Sequence, residues 1–597
     1  MTVLLILHQL RSIMGNSTLV NGESVPEVIP LFLGSEEKAK CLTTRFQMRC
    51  VKSIRLGQFT LKYETGETSE GGQILPPDLQ SLVPTANHFA YDTILSVTKM
   101  RFQRLMQREE IQKHIAITNG FHISTGSVSN LSWMGLAYLE QLHFVQAKQL
   151  AERYRKNGFF IHLDGTNEGG KYTHFVVREG MSGNVLYAAK IISESEISII
   201  PVLEKVKELF GDPEAVVSDM SPAIKKAVSG VFPKVPHRLC HFHFLKDIGK
   251  DMLQDLHQPL KYSVKNLEKQ LKELRNKLAI EQPQVSYKPS KKQKRLYDHY
   301  SWLISIIDHI HDYEKDLTAE GFPFDLKYLA FYDRCRRVYT KIDNLLSTLK
   351  NGGKTKGMNR NICINLCYIR NRLQEFLDRL SGSINQLTKV NSLFLELRDI
   401  LHPKTEKEQT PLNWGMLDDK TSVENIEQNL TDLRKKAEKK IKVKYLPKYE
   451  YKAWKIIHTH LKKHGELLNP KIEVNGKTLL LPRTNNLCET GFRDAKRKAR
   501  RTTGKKNLSK HMDELPSQYF YIVNLDDTEY VKTVFEEKEI YDCFPQIPKE
   551  EIKKTMLKMK AQRGSPKPID YKLIRNDDFL KMLTNRFTEN IAQKESA

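Results

Sequence analysis

Residues 159–191 read FFIHLDGTNEGGKYTHFVVREGMSGNVLYAAKI, and residues 214–244 read EAVVSDMSPAIKKAVSGVFPKVPHRLCHFHF. In the first stretch an apolar run ends on Asp164 and a Gly-Thr turn. Two strand-like runs then flank a Gly-containing turn at Met181–Asn184. A helical segment of about Ile197–Phe210 leads to the second stretch, where a short apolar run delivers Asp219 and a helix starts at once. Strands alternating with helices in this way predict an α/β core. It presents two aspartates at strand ends, 55 residues apart. A carboxylate at a strand end is fixed in direction by backbone on one side and open on the other, which suits a metal-binding acid.

The rest of the chain is too long for one core. Its 597 residues suggest three to five domains by length alone. A hydrophobic fraction of 40% with 28% charged residues is that of soluble globular protein. The sequence holds no uniform apolar run long enough for a transmembrane helix, so no membrane partner is expected. The opening MTVLLILHQLRSIMG is apolar for only six positions, with neither a basic leader nor a small-residue cleavage site. It reads as the start of a strand or helix, not as a signal peptide. The balance of 95 Lys+Arg against 71 Asp+Glu, net +24, favours a polyanionic partner, nucleic acid before membrane surface. Eight irregularly spaced cysteines argue against a disulfide framework.

Taken in order, residues 1–90 are a mixed region of unclear role, with strand-like VIPLFL and FTLKY. Residues 91–156 are helical. A helix of about Arg108–Ile117, a break at Gly120 and a second helix capped near Ser124 or Thr125 resemble a helix-turn-helix. Its second helix would turn Ser127, Ser129 and Asn130 toward DNA. The plainer alternative is a linking helical hairpin with Ile111, Ile115, Val128 and Leu131 as its core. The core stretch takes 157–250. Residues 251–480 carry apolar residues at three- and four-residue spacing throughout and read as packed amphipathic helices, broken at 282–290, 351–357 and 402–414.

The second informative stretch, LLLPRTNNLCETGFRDAKRKARRTTGKKNLSKHMDEL, falls at 479–515. Thr484 or Asn485 can cap a helix holding Glu489, Phe492, Arg493 and Lys496. Arg493, Lys496, Arg497, Arg500 and Arg501 form a basic cluster suited to phosphate contacts, with Lys498 among them. Glu489 is equally placed as an i,i+4 surface partner of Arg493. The catalytic helix belongs to 481–525, and the strand-like YFYIVNL and a helical tail over 526–597 complete the chain, its last residues fraying.

Two strand-end aspartates and a helix glutamate can hold two divalent cations; oxygen ligands favour Mg²⁺, with Mn²⁺ as substitute. Cys240 and His243 are spaced like half a zinc site, with His237, His241 and Cys488 as candidate companions, though a packing and hydrogen-bonding role is the plainer reading. His241 and His243 alternate as on a strand.

Asp164 in LDGT, Asp219 in VVSDMSPAIKK, the CxxH pair Cys240 and His243, and the late Glu489 beside a basic helix together resemble the DDE transposases of cut-and-paste elements. The likeness is to the group spanning Mutator-like, hAT-like and bacterial insertion-sequence enzymes. It implies an RNase H-like mixed-sheet catalytic core, interrupted by a large all-helical insertion and preceded by a helical DNA-binding region. It also implies Asp164, Asp219 and Glu489 as catalytic metal ligands, with metal-dependent cleavage at element ends and strand transfer of the 3′-hydroxyl into target DNA. The partners implied are terminal inverted repeats, target DNA and at least a second copy of the chain, in the nucleoid or, in a eukaryote, the nucleus. The N-terminal CxxC element of many relatives is missing here. Two other functions fit the same residues: a DNA-binding regulator that has lost catalysis, and a metal-dependent nuclease without strand transfer.

Overall fold

The computed structural model describes residues 17–562 except 21–22, 27, 157, 285–288, 319, 352–359, 402–424, 475 and 484. The opening apolar run and the last twenty or so residues, expected to fray, lie outside the described residues. The chain divides into two units, Met1–His237 with Leu487–Ala597, and Arg238–Asn486.

In the first unit a hairpin of β1 (Ser17–Val20) and β2 (Glu23–Pro26) precedes a small mixed sheet. That sheet contains β3 (Val28–Leu31), β4 (Thr43–Ser53) and β5 (Gly57–Glu67), with β6 (Gln73–Ile74) beside β5. Phe59, Leu61 and Tyr63 alternate along β5 and meet Ile29, Leu31 and Leu79 in a core of their own. β4 escapes the sequence reading because TTRFQMRC is polar and largely exposed.

The decisive stretch forms β7 (Phe160–Thr166), β8 (Thr173–Glu179) and β9 (Val185–Ile191), an antiparallel meander. The Glu179 carboxylate holds the tight connection by accepting from the backbone of Met181 and Ser182, at 3.0 and 2.6 Å. A helix (Glu196–Phe210) then crosses to β10 (Ala215–Ser218), which lies parallel to β7, and the helix Pro222–Val231 leads to β11 (His237–Leu239). The strand order is β11-β10-β7-β8-β9. β8 is buried at every position, so both faces of the sheet are covered.

One hydrophobic core joins this sheet to the helices of 91–156 and to the C-terminal segment. It includes Ile111, Val128, Leu136, Leu163, Phe175, Phe520 and Phe544. The helices of 91–156 and the segment from 526 to 561 therefore share one packed body with the sheet. YFYIVNL, read as strand-like, is instead a 3₁₀ segment (Ser517–Asp526). Its Asn524 side chain takes the place of a pairing strand: Oδ1 accepts from Val185 N at 2.7 Å and Nδ2 donates to Val185 O at 2.9 Å.

Buried polar groups tie the same parts together. Glu140 is fully enclosed, accepts from Gln518 Nε2 at 2.9 Å, and is pushed by burial up to about 7. A carboxyl whose folded pKa is raised adds stability below its unfolded pKa and loses it as pH rises toward the folded value. Glu140→Gln, which keeps an acceptor for Gln518, is expected to gain roughly 3 kcal/mol on wild type between pH 4.5 and 8. Denaturant unfolding at the two pH values measures it.

The second unit holds the helices His241–His257, Leu260–Glu281, Lys291–His311, Lys327–Asn351, Arg360–Leu401, Ile426–Ile441 and Lys448–His464. A capping box of Ser290 and Gln293 starts the third. In the long helix Leu366, Ile369, Leu373, Phe376 and Leu380 recur at the three- and four-residue spacing that marks a buried stripe. The segment is not all-helical, however. Lys471–Val474 and Lys477–Leu480 form an antiparallel hairpin across an Asn-Gly pair, with Gly476 at φ 74°. That dipeptide between alternating residues is a hairpin signal, and it overrides the helical trend.

Candidate active site

β7 and β10, the strands that lead to the two aspartates, are parallel neighbours. Ala215 pairs with Phe160, Val216 with Ile161 and Val217 with His162. The pairing ends there: Asp164 stands two residues further along β7, and Asp219 follows directly after the last residue of β10, Ser218. Asp164 is buried and its Oδ1 accepts from Gly165 N at 2.8 Å. Asp219 is half-buried, and its Oδ1 accepts from Ser221 N at 2.9 Å, at the start of the Pro222–Val231 helix. Ser218 beside it bonds His237 Nε2 at 2.8 Å. Both carboxylates are thus aimed by local backbone, as turn-forming aspartates are.

A further carboxylate that sequence reasoning missed, Glu194, lies on this part of the sheet. A Cβ on Gly165 would fall 2.2 Å from Glu194 Oε1, so that side chain lies against the backbone next to Asp164. Burial, then the charge of Asp219, raises the Glu194 pKa. Only the fold brings it here: Glu194 follows β9 in a short Ser-Glu-Ser-Glu stretch (193–196) whose composition carries no signal.

The helix Asn486–Thr503 covers the same face of the sheet. His162 pairs with Arg178 and Asp164 with Val176 across β7 and β8, so Arg178 and Asp164 share a face. A Cβ on Gly491 would lie 2.2 Å from Arg178 Nη2, so the helix backbone rests on that arginine. Glu489 stands two residues before this contact; its side chain lies outside the described residues. Cys488, Phe492, Ala495 and Ala499 form the buried stripe. At the far end Lys496 pairs with Glu168, just beyond β7, at 2.6 Å. His174 Nε2 lies 2.8 Å from Met512 O and fixes the next segment to β8, its neutral form favoured by a pKa pushed down to about 4 by burial.

The basic cluster divides. Arg493, Arg497, Arg500 and Arg501 are exposed, Lys496 is half-buried in its ion pair, and Lys498 is buried. Ser127 and Ser129 are half-buried and Asn130 exposed, near the start of the Thr125–Val145 helix. Ser127 N donates to the capping Ser124 Oγ at 3.0 Å, and Arg101 donates to Ser129 Oγ at 3.2 Å. Ile111, Ile115, Val128 and Leu131 are all buried, as the helical-hairpin alternative has it.

The CxxH pair sits in the second unit at a helix start. β11 ends at Leu239, so His241 and His243 lie on a helical turn and do not alternate as on a strand. Cys240 is the N-cap, its sulfur 3.2 Å from Asn485 N. His241 is buried, with its ring nitrogens 3.2 and 2.8 Å from the carbonyls of Leu401 and Leu468. All eight cysteines are free. Among the described residues no group of three or more His, Cys, Asp or Glu is gathered closely enough to hold a metal ion. Among them, too, no helix is long and apolar enough to cross a membrane.

Comparison with known proteins gives a family match and likenesses among solved structures. No curated protein matches the chain. The chain is similar to the Drosophila P element transposase strand transfer complex at 10% identity, over 76% of this chain and 94% of that one; the TM-score of 0.31 is too low to carry an argument. Residues 162–247 match the MULE transposase domain, a span that takes in Asp164, Glu194, Asp219, Cys240 and His243 and ends before Glu489. The segment bearing both aspartates is therefore similar to a transposase domain of the Mutator-like kind, and transposase is the function class this match supports.

Proposed function

We propose that the chain is a DNA transposase of the DDE type, cutting at element ends and joining the freed 3′-hydroxyl to target DNA. One observation carries the reading: β10 pairs in parallel with β7, the strand that bears Asp164, and Asp219 follows directly after β10. The sheet order, three antiparallel strands and then parallel β10 beside the first, supports an RNase H-like core. The run of helices between the two parts of the first unit supports an insertion.

The donor set fits a hard divalent cation, since all its atoms are carboxylate oxygens. Asp164, Asp219 and Glu489 would hold Mg²⁺ or Mn²⁺. Bound there, such ions lower the pKa of an attacking water or 3′-hydroxyl and offset charge on the leaving oxygen. The protein's own part is positional. Gly165 N and Ser221 N direct the two aspartates, and the Lys496–Glu168 pair and Arg178 seat the helix bearing Glu489. Arg493, Arg497, Arg500 and Arg501 would bind DNA phosphates, and Ser127, Ser129 and Asn130 would contact the element's ends. Joining two ends calls for at least two copies of the chain.

The test is cleavage of DNA bearing the gene's own flanking repeats, with Mg²⁺ or Mn²⁺. Cutting at the repeat ends, lost in Glu489→Gln, supports the transposase. Cutting without regard to the repeats would replace it with a nuclease, and repeat binding without cutting under either metal would replace it with a regulator.

A further inference from the structure

A recess of about 310 Å³ opens in the first unit beside the C-terminal half of the basic helix. Arg101, Arg108, Lys498 and His511 line it, together with the carboxylates of Glu109 and Glu514, and Phe102 and Trp133 form apolar wall. Cavities of this size with a few converging polar groups are the usual form of small-ligand sites.

The charge within it is unusual for a packing defect. Lys498 is only 7% exposed, donates to the Phe102 carbonyl, and lies 5.0 and 4.8 Å from the ring centres of Phe102 and Tyr519. Burial, then the neighbouring Arg101, pulls its pKa down to about 7. Burial also lowers His511; Glu514 opposes this, while Arg101 and Lys498 add to it. Arg101 therefore disfavours the charge of two other cations that share its recess. An anion entering would reverse that penalty, because each cation would gain an opposite charge in a partly desolvated place. The shape and chemistry select a phosphate: arginine forks recognise its oxygens, and an aromatic wall accepts an attached base or sugar.

We propose that this recess binds the phosphate of a nucleotide, gripped by Arg101, Arg108, Lys498 and His511, with Trp133 and Phe102 bordering the base. The nucleotide comes either as a free molecule or as a residue of a DNA strand. This proposal does not depend on the catalytic reading, and its test involves no cleavage.

Full-length protein is titrated calorimetrically with ATP and, separately, with a short thymidine strand. Wild type is compared with Arg101→Gln and Arg108→Gln. Arg108 is exposed at a helix start, so its variant folds even where Arg101→Gln does not. A loss of about tenfold or more in ATP affinity in these variants supports the site and identifies a free nucleotide. The same loss with the thymidine strand, ATP binding being absent, supports it and identifies DNA. Binding of neither probe, or binding of both that the two variants leave unchanged, overturns the proposal.

Discussion

Asp219→Asn is expected to lower metal-dependent DNA cleavage by roughly 10³-fold while leaving the fold intact. The side chain does two things. Its Oδ1 accepts from Ser221 N and so closes the turn into the Pro222–Val231 helix. Its charge, in the proposed function, shares the metal with that of Asp164. Asparagine keeps an oxygen in the first role and removes the second, so the loss reads out charge. Single-turnover cleavage, with thermal unfolding as the control, makes the measurement. Asp219→Ala would lose the turn as well, and is the less informative variant.

The second large effect concerns stability. Gly135→Val is expected to destabilise the first unit by about 3 kcal/mol or more. A Cβ at this position would lie 2.0 Å from Thr98 Oγ1 and 2.9 Å from Thr98 Cβ. Thr98 cannot yield cheaply: it is fully buried and β-branched within a helix, and its Oγ1 donates to Ile94 O at 2.7 Å. The Tyr91–Phe102 and Thr125–Val145 helices touch closely here, so valine must drive them apart. Denaturant unfolding gives the size, and adding Thr98→Ala to the valine variant should recover part of the loss. The same two helices carry Arg101 and Trp133, so their spacing also sets the phosphate recess.

How much of this was readable in the sequence follows the range of each interaction. The three strands of the meander announce themselves because each is a short apolar run closed by a turn, a local signal. Asp164 and Asp219 could be named as strand-end acids for the same reason. That their strands are neighbours could not, since it depends on β10 pairing with β7 across the β8–β9 hairpin and a helix. Glu194 is hidden for the same non-local reason. Lys498 was indistinguishable from its neighbours because its stripe is built partly from Ala495 and Ala499, which mark a buried face weakly. YFYIVNL misled because its aromatic and β-branched residues serve a core instead of a ladder. The Asn-Gly hairpin at 471–480 was readable, and the surrounding helical period masked it.

The most direct test of the central claim, that Asp164 and Asp219 together hold the catalytic metal, is a change of metal preference. Asp219→Cys puts a soft thiolate where a hard carboxylate stands. Cleavage of the repeat-bearing DNA by this variant would be followed in Mg²⁺ and then in Mn²⁺ or Cd²⁺. The account predicts near-complete loss in Mg²⁺ and partial return with the thiophilic ions, while wild type cuts well in Mg²⁺. Cleavage by Asp219→Cys in Mg²⁺ at the wild-type rate would contradict it.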